Sequence, residues 1–155
     1  MKYWLVKSEP EVFSFDDLKS SKDQTTFWDG VRNYQARNFL RDEMKKGDQV
    51  LFYHSNANPL AVMGICKVIK EGYPDHTQFD IDSYHYDIKA DPKNPTWFMI
   101  DIKFVREFKT PVTLQEIKSN PKLKKMQLVA RGNRLSVMPV KKEEFDEIVK
   151  MGQRK

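Results

Sequence analysis

The chain has 155 residues, 39% hydrophobic and 32% charged, which suits one domain with a real core and excludes a disordered polymer. Its single cysteine, Cys66, excludes an internal disulfide and a thiolate pair for zinc, and no apolar run approaches the roughly 18 residues of a membrane helix. The formal net charge of +5 is unevenly spread: residues 117–142 contain no Asp or Glu, whereas Asp75, Asp80, Asp82, Asp87 and Asp91 crowd the middle.

In chain order, Met1 to Lys7 lacks the apolar stretch of a secretory leader, so a cytoplasmic location is expected. Tyr3 to Lys7 reads as a strand closed by Ser8-Glu9-Pro10. Ser14 to Leu18 has the make-up of a short helix, with Ser14 as cap and acids in its first turn. Thr25 to Trp28 reads as a short extended piece ended by the turn pair Asp29-Gly30. Asn33 to Met44 carries the clearest helical pattern, with Ala36, Phe39, Leu40 and Met44 on one stripe and Arg37, Arg41 and Lys45 on another.

Gln49 to His54 and Leu60 to Lys70 are rich in β-branched and aromatic residues and read as strands around a loop. Glu71 to Asn94 is aspartate- and turn-rich, so mainly loop, with a short extended piece expected near Ser83 to Asp87. Trp97 to Val105 alternates as a strand, and Thr113 opens a capping box with Glu116. Two short helices are expected from there to Met126, then an irregular to extended stretch over Arg131 to Val140. A helix over Lys142 to Met151 turns Phe145, Ile148 and Val149 inward. Short strands in series with helices at the ends predict an α+β fold on a mixed or antiparallel sheet, curled towards a barrel.

The catalytic signatures are thin. His54, His76 and His85 lack metal-ligand spacing, so no metal is expected, and no cofactor motif is present. There is no nucleophile elbow and no phosphate-cradling glycine loop. Cys66 sits in the apolar run Val62 to Ile69 and reads as an inert buried thiol. Lys7 and Glu9 share one face of a strand and fit either an acid–base pair or, more simply, a surface ion pair.

A binding pocket has more to support it. Trp28-Asp29-Gly30-Val31-Arg32-Asn33-Tyr34 gathers an indole, a turn, a guanidinium, an amide and a phenol. Such groups stack on a base and bond its edge, although Trp28 as a core residue and Asn33 as a helix cap would explain the same stretch. Lys118, Lys122, Lys124, Lys125, Arg131, Arg134, Lys141 and Lys142 form either a solvated lysine-rich loop or the footprint of a polyanion.

Four segments together resemble one family. Tyr3 to Pro10, Trp28 to Phe39, Gly47 to Asn56 and Arg134 to Val140 look like the ordered motifs of the EVE domain and span nearly the whole of residues 1–155. That resemblance implies a PUA-like twisted β-barrel flanked by short helices, related to YTH domains, and a non-catalytic reader of a modified base in DNA or RNA. Carried over by motif, Lys7 and Ser8 come to the pocket, Trp28 stacks on the base, and Asn33 and Tyr34 follow on the rim. His54, Ser55 and Asn56 lie beneath, and Arg134, Leu135 and Ser136 close the other side. The second aromatic wall is Tyr34, Tyr53 or Trp97. Arg32, Lys122, Lys124, Lys125 and Arg131 are the candidates for phosphate contact. Nucleic acid is the expected partner, the chain is expected to be a monomer, and no membrane is implied. The alternative is a small hydrolase of modified nucleosides like some ASCH domains, with Lys7 and Glu9 catalytic; a small-molecule or protein-binding module is a third class.

Overall fold

Among residues 1–154, which the computed structural model describes, six strands form one sheet. They are β1 (Tyr3–Ser8), β2 (Thr25–Phe27), β3 (Gln49–His54), β4 (Ala61–Pro74), β5 (Phe98–Thr113) and β6 (Val137–Val140). Their order across the sheet is β2-β5-β4-β3-β1-β6. β1 runs parallel to β3, and every other neighbouring pair is antiparallel. A parallel neighbour demands a long crossover, and residues 9–48 provide it. That crossover carries α1 (Phe15–Ser20), the edge strand β2, and α2 (Tyr34–Asn38).

Central strands are covered on both faces, which explains their unbroken apolar runs. Trp4, Leu5 and Val6 of β1 and Val50 to Tyr53 of β3 are all buried, in one cluster with Phe15, Leu40, Ile100 and Ile102. α4 (Lys142–Gly152) lays Phe145, Ile148 and Met151 onto the same core. Gly64 and Gly152 are needed for close approach: a Cβ on the first would run into the Arg106 carbonyl, and on the second into the Phe108 ring. A buried carboxylate, Asp48, staples the start of the chain by accepting from the Lys2 N–H, the Trp4 indole at 2.9 Å and the Lys45 N–H.

The caps follow the local sequence. Ser14 and Asp17 form the capping box of α1, and Thr113 and Glu116 that of α3 (Leu114–Ser119). The predicted helix from Asn33 starts as expected, then widens into a π turn over Phe39–Glu43, where the Met44 N–H reaches the Phe39 carbonyl.

Three expectations change. β4 and β5 run on to Pro74 and Thr113, because register shifts along their ladder break the in–out alternation that marks a strand. The extended piece near Ser83 to Asp87 is a series of turns, tied by Asp87 N–H to the Gln78 carbonyl. The sheet is not shown to close as a barrel: β2 and β6 are its edges, with no ladder between them among the described residues.

Candidate nucleic-acid interface

A cleft of about 700 Å³ lies between the edge strand β2 and the end of β1, beside the segment leading into the other edge strand, β6. One wall comes from the end of β2 and the turn after it, Phe27 to Arg32. The opposite wall is the end of β1, Lys7 to Glu9, with Arg134 to Ser136 from the approach to β6. Backbone bonds fasten that wall: Lys7 N–H to the Ser136 carbonyl and Ser55 N–H to the Ser8 carbonyl, both 2.9 Å. Ser55 lines the cleft, as do Val12 and Phe13 from the β1–α1 loop and His85 from the long loop.

Trp28 is 8% exposed and belongs to the core cluster while also facing the cleft. Its ring stands edge-on to Phe52 at 5.4 Å and to Phe13 at 6.4 Å. Trp28 is therefore a core residue that also lines the cleft. The other aromatics on the cleft are Phe13 and Phe27. Tyr34, Tyr53 and Trp97 do not line it. Tyr34 is exposed and tilted against Trp97 at 5.0 Å, with the Arg37 guanidinium 5.1 Å from its ring. Tyr53 is buried beneath Lys7, whose ammonium lies 5.9 Å from the ring centroid.

Several sequence candidates serve the scaffold instead. Asn33 caps α2 by accepting from the Ala36 N–H at 2.9 Å. His54 accepts from the Phe15 N–H at 3.0 Å, and burial, opposed by Asp16, lowers its pKa, so the neutral imidazole suits that role. Asn56 donates to Glu9, and no ion pair joins Lys7 to Glu9 among the described residues. The surface-pair expectation for those two is thereby corrected: the strand ends at Ser8, and Glu9 turns towards the β3–β4 loop. Burial pushes the pKa of Lys7 down, and no carboxylate compensates it.

Arg32, expected to reach phosphate, points inward. All five of its N–H groups are engaged: Nε and Nη2 with the His85 carbonyl, Nη2 also with Thr77, and Nη1 with Asp75 and the Val31 carbonyl. Asp75 is fully buried; burial alone would raise its pKa, but bonds from Thr77, the Gly30 N–H and Arg32 hold it below the usual carboxylate range. Gly30, at φ +80°, is required here, because a Cβ would lie 2.6 Å from the His85 ring.

Beside the cleft, a notch of about 350 Å³ shares Arg134 and Leu135 with it and adds Arg131, Asn33 and Gln35. Arg131 and Arg134 are exposed and form no ion pair among the described residues. Lys122, Lys124 and Lys125 are exposed as well but line neither cavity; they flank Leu123, which is buried in the core cluster. Phe13, Phe27, Asp29 and His85 are cleft residues that the motif reasoning missed. Among the described residues no group of three or more His, Cys, Asp or Glu side chains is placed to hold a metal ion, and no helix is long and apolar enough to cross a membrane.

The fold and these motifs place the chain in a known class: it belongs to the EVE domain family, whose model matches residues 2–151. Thymocyte nuclear protein 1 of Gallus gallus is 48% identical over 170 residues, covering 99% of this chain and 69% of that protein. The human protein of that name is 46% identical, covering 96% and 73%. The crystal structure of human THYN1 protein in complex with 5-methylcytosine containing DNA superposes with a TM-score of 0.94 at 45% identity, over 100% of this chain and 99% of that one. An ASCH mutant protein from Zymomonas mobilis, at TM-score 0.56 and 12% identity, shares the fold alone. The expectation of a cytoplasmic location is overturned by these relatives, which carry the name of a nuclear protein.

Proposed function

We propose that the chain is a non-catalytic DNA reader that takes a modified cytosine into the cleft between β2 and the end of β1. The observation that carries this reading is the match to the human structure with 5-methylcytosine containing DNA, made by a chain whose own cleft has aromatic walls and an arginine-bearing rim. Trp28, Phe13 and Phe27 supply the apolar and stacking surface, which for aromatic–base contacts is worth about 1–3 kcal/mol per base. That offsets the few kcal/mol needed to take a base out of its stack. The Ser8 hydroxyl proton is engaged by the Phe13 carbonyl, whereas the hydroxyls of Ser55 and Ser136 have no partner among the described residues. Arg134, with Arg131 beside it, would meet the phosphates, where each neutralised phosphate steepens the salt dependence of binding.

A methyl group adds only about 0.8 kcal/mol per buried carbon, so preference for modified over plain cytosine should be several-fold rather than absolute. The hydrolase alternative is less well supported: Glu9 accepts from Asn56, and no hydrogen bond or ion pair joins it to Lys7 among the described residues. The test is a titration of labelled oligonucleotides that differ only in 5-methylcytosine or cytosine at one position. Wild type should prefer the methylated strand several-fold, and Trp28→Phe should keep the fold while reducing that preference. An unchanged preference would take Trp28 out of the site.

A further inference from the structure

The polar groups of the cleft sort themselves by what is already spent. Ser8 donates to the Phe13 carbonyl, Glu9 accepts from Asn56, and every Arg32 donor is engaged within the protein. Besides the exposed Arg134, two half-buried charged side chains of the cleft remain without a hydrogen-bond or ion-pair partner among the described residues. They are Lys7, which can only donate, and Asp29, which when ionised can only accept. Both are half-buried, so both have given up water without gaining a partner. The lowered pKa of Lys7 from burial is the same fact seen from the ammonium.

We infer that Asp29 and Lys7 read the hydrogen-bonding edge of the base, Asp29 accepting from an exocyclic amino group and Lys7 donating to the ring acceptors beside it. This rests on the reading that the cleft takes a base, and adds which bases it refuses. Cytosine carries an amino donor next to the N3 and O2 acceptors. Thymine and uracil carry a carbonyl and an N–H in the first two places. Adenine shares the donor–acceptor order, so the pair selects amino-bearing bases and leaves ring size to the aromatic walls.

The sharpest comparison is between 5-methylcytosine and thymine. The two rings have the same outline and the same methyl group, so stacking and apolar burial treat them alike. Only the polar edge differs. Against thymine, the Asp29 carboxylate would face a carbonyl oxygen and the Lys7 ammonium an N–H, leaving both unpaired in a partly dry site. A site built around hydrogen bonds rejects an analogue by that route far more strongly than by a missing methyl.

Three oligonucleotides, identical but for 5-methylcytosine, cytosine or thymine at one position, test the inference against wild type, Asp29→Asn and Lys7→Met. Wild type should bind 5-methylcytosine at least about fivefold more tightly than thymine, the lower end expected for one well-made polar base contact. Asp29→Asn can donate to the thymine carbonyl, so its ratio should fall to within about twofold, while the milder preference for 5-methylcytosine over cytosine persists. Asp29 has no partner to lose, and thermal melting checks that the variant folds. If it does not, Lys7→Met must show the same collapse of the ratio. A ratio unchanged in the folded variants overturns the assignment and leaves the base-reading function standing. Equal wild-type binding of 5-methylcytosine and thymine also overturns it. Absence of any preference between 5-methylcytosine and cytosine, or of binding to all three, removes the base-reading function and this inference with it.

Discussion

The Arg32 wall and the Arg134 rim border the same cleft and use the same side chain in opposite ways. Arg32 has every donor satisfied inside the protein and neutralises the fully buried Asp75. Arg134 is exposed, and with Arg131 it brackets the turn at Gly132, φ +76°. The lesson is that a basic residue near a site counts towards nucleic-acid binding only if its charge is not already committed. One side of the cleft is fixed by electrostatics, and the other is open for them.

The largest way to break this contrast is Arg32→Ala. It strands a buried carboxylate, for which losses of about 3–5 kcal/mol are typical, and chemical denaturation should read a drop of that order. A change within about 0.5 kcal/mol, the surface norm, would put Arg32 back among the phosphate candidates.

Acid should produce an intermediate effect. The pKa of Asp75 lies below its unfolded value, so its contribution is complete above roughly pH 4 and disappears as pH falls through the folded value. Urea unfolding between about pH 5 and pH 2 should therefore show a smaller acid loss for Asp75→Asn than for wild type. Identical pH slopes would mean that the carboxylate is not the linked group.

The smallest effects belong to the open rim. Arg134→Ala should leave stability within about 0.5 kcal/mol, weaken DNA binding irrespective of modification, and lower the salt slope by about 1. Lys124→Ala with Lys125→Ala should alter that slope less than Arg134→Ala does, because neither lysine lines the cleft or the notch. The reverse ranking would move the nucleic acid onto the lysine-bearing segment.

Much of the frame was legible because its causes are local. Ser14, Asn33 and Thr113 cap the helices that their sequence context indicates, and Cys66, buried with its thiol pKa raised, is the inert residue that its apolar run suggests. The extensions of β4 and β5 were hidden by bulges, which move residues such as Arg106 and Glu107 off a strict alternation. The lining of the candidate cleft was legible in part. Trp28, Lys7 and the Arg134 to Ser136 segment, which the motifs single out, all line it. Phe13 and Phe27 were not legible, since tertiary packing brings the end of β2 across the cleft from the end of β1, and no local period encodes that. Asn33 and Tyr34 show the converse: the helix they begin turns one into a cap and the other outward onto Trp97.

The position of the cleft between β2 and the end of β1 has a consequence for how the molecule is assembled. Its walls are drawn from residues 7–9, 26–32 and 134–136, so no contiguous fragment holds both sides. A ligand there would tie β2 to the end of β1 and to the segment leading into β6, and lend its binding energy to the folded state as a whole, by about RT ln(1 + [L]/Kd). The occupant would act as a rung between segments far apart in the chain.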